Sequence, residues 1–229
     1  MQAIQGRSLL RGETTLEELR TLTAIFEDAA PLLDDDLIDA AYDAMVVDGD
    51  LRLPALDTFE AGLCILVVTG DLLIDGAYSD HDDPATGVFV LGNMRAGSVW
   101  TAGTLGVQGE LQVARTLAGF YNDYSASLLG PVRAGVFWPE NHWFDLHSEP
   151  AFDVVLGQQS HYRVPDAWRG LLDRPLRGRA LLEQVDDALV HEQVAEFEVG
   201  QIEDASLTEL LDWDQLRAFI QADRPLLKA

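Results

Sequence analysis

The stretch YSDHDDPATG sets Asp80, His81, Asp82 and Asp83 side by side. Carboxylates with one imidazole could hold a divalent cation, but the spacing fits neither a twelve-residue calcium loop nor a glycine-rich calcium roll. A solvated loop that touches a partner is the expected role. In a second stretch, FWPENHWFDLH, Glu140 and His142 could act as acid and base. Trp138, Trp143 and Phe144 around them read instead as the end of a core that the next segment covers. There is no G-x-S-x-G elbow, and GDLLIDG lacks the Gly-Lys-Ser/Thr that completes a phosphate loop. Cys64, the single cysteine, lies in the apolar run GLCILVV, so no internal disulfide or cysteine-based zinc cluster can form. No catalytic residue, cofactor or metal site is expected, and the chain reads as non-enzymatic.

Charge narrows the partners. The chain carries 39 acids against 15 bases, a net charge of −24, and Lys228 is its only lysine. Such a field repels nucleic acid and anionic membranes and speeds encounter with a basic protein. No apolar run reaches the roughly 20 residues that span a bilayer, and a cytoplasmic protein is expected.

Elements that would position these residues fall into three segments. Residues 1–44 read as an N-terminal helical cap. TTLEELRTLTAIFEDAA and LLDDDLIDAAYDA have apolar residues three and four apart, with Thr14 and Glu17 spaced as a capping box and Pro31 between the two runs. Residues 161–229 read as a C-terminal helical segment with a second capping box at Ser206 and Glu209. Between them, residues 45–160 lose the helical period. Gly49-Asp50, Gly70-Asp71, Gly92-Asn93, Gly109-Glu110 and Gly130-Pro131 recur there at separations of 21, 22, 17 and 21.

A period near 20 residues marks a solenoid, whose units must stack to bury their apolar sides. Leucine-rich and hexapeptide patterns fail, and a mainly β fold with α caps is predicted: a short right-handed single-stranded parallel β-helix of about five coils. Leu51, Leu72, Met94, Leu111 and Val132 should form one inner file. The acid after each glycine should face solvent or cap the turn, and Arg52, Arg95 and Arg133 should form an outward stripe. The flanking helices should cover the open strand edges at the two ends.

The rungs, together with GFYNDYSASLLG and PENHWF, resemble small bacterial parallel β-helix proteins of the polymorphic-toxin immunity type over roughly residues 45–146. That resemblance implies a cytoplasmic protein that sequesters a secreted toxin domain through its surface, with no shared catalytic motif to carry over, and the acidity of the chain makes a basic toxin domain the expected partner. The rungs are also similar to bactofilin-type polymer-forming proteins, which implies a self-associating scaffold. The long acidic flanks argue against end-to-end stacking and for a monomer or homodimer. A carbohydrate-active enzyme is a third reading, since a glycosidase needs only two carboxylates at a set separation. For the binding protein, the expected contacts are Asp80, Asp82 and Asp83, then Tyr121, Asp123 and Tyr124, and finally Asp186 and Asp187 in the C-terminal helices. Aromatic side chains there would anchor a partner and carboxylates would steer it.

Overall fold

The computed structural model describes residues 4–33, 41–120, 123–156, 162–172 and 176–228. It is a parallel β-solenoid with three faces, flanked by helices. Face 1 stacks Asp43–Val47, Leu63–Val68, Gly87–Val90, Thr104–Val107, Ser125–Leu128 and Trp143–Leu146. Face 2 stacks Leu51–Leu53, Leu72–Ile74 and Met94–Ala96. Face 3 stacks Leu56–Asp57, Ala77–Ser79 and Ser98–Thr101. Above these, the longer strands Leu111–Gly119, Val132–Trp138 and Pro150–Val155 each bend to serve faces 2 and 3. All five Gly-X corners lie between faces 1 and 2, and a sixth rung without one follows at residues 143–155.

Inside the column, the expected file is present: Leu51, Leu72, Met94, Leu111 and Val132 are in register on face 2. Val68, Val90, Val107 and Leu128 from face 1 complete the same apolar core. At the corner, each side chain after the glycine serves the next rung. Asp50 Oδ1 accepts from the Asp71 N–H at 2.8 Å, Asp71 Oδ1 from Asn93 N–H at 2.7 Å, and Asn93 Oδ1 from Glu110 N–H at 2.9 Å. Pro131 has no N–H to continue this chain of caps, which ends there.

The flanking helices lie against faces, where capped ends were expected. α1 (Leu16–Thr23) and α2 (Ala29–Leu32) cover face 1. Leu19, Phe26 and Leu32 pack on its outward residues Val46, Ile65, Val67 and Phe89. The cap of α1 is Thr15, whose hydroxyl accepts from Glu18 N–H at 3.2 Å, one residue later than predicted. Pro31 sits inside the single turn of α2, where its missing N–H has no partner to lose. Most of the predicted second helix lies outside the described residues.

After α3 (Asp166–Leu172), the chain forms α4 (Gly178–Gln184), α5 (Val199–Asp204), α6 (Leu207–Leu210) and α7 (Trp213–Gln221). The capping box at Ser206 and Glu209 is present at the start of α6. This layer covers face 3. Trp100, Ala118 and Trp138 are in register facing outward, and Trp213 makes ring contacts with Trp100 at 5.6 Å and Trp138 at 5.0 Å. Asp223 fastens the layer, accepting from Ser98 Oγ at 2.8 Å and Arg115 at 2.5 Å.

The ends are closed in part by other means. Arg7–Ser8 pairs antiparallel with Asp43–Val47 at one end, and Val164 and Leu172 join the interior core at the other. Among the described residues no layer covers face 2, and its outward file reads Arg52, Leu73, Arg95, Gln112, Arg133 and Ala151.

Candidate functional site

The corner between face 3 and the following face 1 carries the longest loops. In the longest of these, 80–86, the side chains divide. Asp80 is wholly buried and accepts from four donors: Ala102 N–H at 2.6 Å, Gly103 N–H at 2.8 Å, Tyr78 OH at 2.6 Å and Thr101 OH at 2.8 Å. Burial pushes its carboxyl above the usual range against the pull of those donors. Asp80 ties rung 2 to rung 3 and is not presented to a partner, which corrects its assignment as a surface contact. Alternation along Ala77–Ser79 places Tyr78 inward, and its hydroxyl draws the carboxylate after it.

His81 lies near the surface with its Nε2 3.2 Å from Asp57 Oδ1. Asp57 also accepts from Ser79 OH at 2.7 Å and Glu60 N–H at 3.0 Å. Serine, aspartate and histidine thus meet, but with the aspartate in the middle. A nucleophilic relay needs the imidazole between the other two, so this trio fastens a corner. Burial raises the Asp57 carboxyl, but His81, the Glu60 amide and the Ser79 hydroxyl outweigh it and hold the group well below the usual carboxylate range.

A carboxylate with a depressed folded pKa adds stability above its unfolded value, about 4, and loses it as pH falls through the folded value. Asp57→Asn should therefore reduce the loss of stability between about pH 5 and about pH 2, measured as the shift of the urea midpoint. An unchanged acid shift in the variant would contradict this assignment.

Glu140 and His142 lie in different surroundings. Glu140 accepts from the Trp138 indole at 3.4 Å. His142 is wholly buried and packs edge-on to Phe144, with ring centres 5.3 Å apart, beneath Gly119.

What the fold does bring together is acidic and aromatic. Partial burial, followed by the charges of Asp123, Asp82 and Asp83, pushes the Tyr124 phenol up, so three carboxylates from two different loops act on one phenol. Beside them, Asp28, Pro31 and Leu32 of the N-terminal layer meet Thr104, Asp123, Tyr124, Ser125 and Trp143 around a notch of about 280 Å³. Ser125 OH donates to Asp28 at 2.5 Å across its floor. Trp143 is 39% exposed there, with the Arg163 guanidinium 5.5 Å from its ring centre.

Near the opposite end of the same edge, Phe59 is 47% exposed, with its ring tilted against those of His81 at 5.6 Å and Tyr42 at 5.9 Å. Tyr121 lies outside the described residues. Asp186 and Asp187 lie elsewhere, in the C-terminal layer. There Asp186 caps Ala188 N–H at 3.0 Å, Asp187 pairs with Lys228 at 2.7 Å, and Asp187 borders a shallow cavity with Glu192 and Asp212.

Sequence reasoning missed Asp28 and Phe59, because neither belongs to a motif and only the wrapping of the chain places them on this edge. Among the described residues, no group of three His, Cys, Asp or Glu side chains is placed to hold a metal, and no helix is long and apolar enough to cross a membrane. Comparison of the chain with family models, curated proteins and solved structures gives no match in any of the three.

Proposed function

We propose that this β-solenoid is a non-enzymatic binding protein whose acidic, aromatic edge takes a basic segment of a protein partner. The partner class that the sequence resemblance implies is a toxin domain neutralised by the contact. The observation that carries this reading is the notch where Asp28 and Asp123 meet Tyr124 and the exposed ring of Trp143, with the charges of Asp82 and Asp83 also acting on the Tyr124 phenol. Carboxylates placed this way steer an approaching lysine or arginine, and a half-exposed indole beside them can anchor it by cation–π contact. The net charge of −24 acts in the same direction at longer range.

The test is affinity capture from the native cell, followed by titration of the captured protein. Wild type should retain a basic partner at about 50 mM salt and release it at about 500 mM, where the Debye length falls below about 5 Å. The combined change Asp82→Asn, Asp83→Asn and Asp123→Asn should weaken that partner at least about tenfold while leaving the thermal midpoint unchanged. A partner set indifferent to salt and to the triple change would contradict the reading.

A second reading, self-association as a scaffold, is favoured by the outer edge of Leu51–Leu53. That strand pairs only with Leu72–Ile74 among the described residues. Light scattering across a concentration series separates the two readings, because only the scaffold grows with concentration.

A further inference from the structure

Arg52, Arg95, Arg115 and Arg133 are the only arginines or lysines between Met45 and Leu146. Three of them stand in the outward file of face 2, and Arg115 sits at the bend where the strand Leu111–Gly119 leaves that face. All four arginines between Met45 and Leu146 are thus on or beside the one face that no helical layer covers among the described residues. With a Debye length of about 8 Å at physiological salt, carboxylates on the other faces do not cancel this local field.

Arg52, Arg95 and Arg115 border a groove of about 340 Å³, within the range of small-molecule sites, with Leu73, Ala96 and Ala114 among its apolar walls. Two of these cations are already matched. Asp75, also in the groove, holds Arg52 at 2.7 Å, and Asp223 holds Arg115 at 2.5 Å. Arg133, one step outside, is held by Glu110 at 2.9 Å. Arg95 is exposed and forms no ion pair among the described residues. The groove therefore presents one unmatched positive charge, on a planar fork whose geometry suits a single carboxylate.

We propose that this groove binds a small organic monocarboxylate, with its carboxylate on the Arg95 guanidinium and its carbon body over Leu73 and Ala114. A dianion such as phosphate would find only one unmatched cation, with the carboxylate of Asp75 nearby. This inference is independent of the acidic edge, which lies at a different corner of the column.

Sodium D-glucuronate, titrated by calorimetry at low salt, is the probe. Saturable binding is expected in the wild type, with inorganic phosphate binding several-fold more weakly and D-glucose, which lacks the carboxylate, not at all. Arg95→Gln should weaken glucuronate at least about tenfold, the loss expected for a charge-assisted bidentate contact. Arg177→Gln, which removes the same charge from an exposed position in the C-terminal layer, should change it less than about twofold. Because Arg95 projects into solvent, its replacement leaves the core intact, and an unchanged thermal midpoint verifies this. Absence of saturable glucuronate binding, equal binding to Arg95→Gln, an equal loss in Arg177→Gln, or tighter binding of phosphate would each overturn the assignment.

Discussion

Gly130→Ala is expected to lower stability by about 3 kcal/mol or more, enough to leave much of the protein unfolded at physiological temperature. The glycines at 70, 92, 109 and 130 are not there for a left-handed backbone; of the five corner glycines only Gly49 has positive φ, at 85°. They are there because successive corners sit directly on one another. A Cβ on Gly130 would strike the Gly109 carbonyl oxygen, come within 2.5 Å of its carbonyl carbon, and stand 3.0 Å from the Glu110 nitrogen.

All three obstacles are backbone of the rung beneath, which is itself hydrogen-bonded to the rung below it. Neither layer can yield without breaking register, so the cost exceeds that of ordinary overpacking. Gly200→Ala is the matched control. It lies within α5, has nothing within 4 Å of the added carbon, and should raise stability by about 0.5–1 kcal/mol. Urea unfolding of the two variants against wild type reads both effects. A Gly130→Ala midpoint close to wild type would refute the close-stacking account.

Asp80→Ala should cost a comparable amount, about 3–5 kcal/mol, for a different reason. The carboxylate is the common acceptor for two backbone N–H groups and two hydroxyls, all of them buried. Deleting it leaves a void and up to four donors without an acceptor where water does not reach. Asp80→Asn preserves volume but turns an NH2 group toward neighbours that are themselves donors, and an intermediate loss is expected. Asp82→Asn, a few ångströms along the same loop but at the surface, should stay within about 0.5 kcal/mol of wild type. The order Ala, then Asn, then Asp82→Asn in urea midpoint tests the inward placement of Asp80. Equal midpoints for Asp80→Ala and Asp82→Asn would show that the Asp80 carboxylate is not the buried knot described above.

These two residues mark where the sequence could and could not be read. The rungs were legible because Gly-X corners recur at nearly constant spacing and the residues after them alternate, so Leu72 and Ile74 could only point one way. The outward arginines followed from the same alternation. Asp80 was not legible, because in SDHDD nothing distinguishes the one carboxylate that turns inward from those that face water. The role of the C-terminal helices was also misread. In SVWT, LAG and VFW the residues facing out, Trp100, Ala118 and Trp138, are as apolar as those facing in. Strands apolar on both sides are buried on both sides, and that pattern was the available sign that something covers face 3. The acidic edge was half legible: its two loops stood out by composition, but Asp28 joins them only through the path of the N-terminal chain.

The C-terminal layer also acts as a splint. It is tied at one point to the third and fourth rungs, where Asp223 meets Ser98 and Arg115, and at another beyond the sixth, where Leu176 bridges to Leu156. Open solenoids lengthen or shorten by whole coils, because each coil knows only its neighbours. Here, inserting or deleting one coil between the two ties would displace them by a full step of about 4.8 Å, and both could not be kept. The height of this column is therefore set by the span of the helical segment alongside it, and a coil could be gained or lost only together with a matching change in that segment.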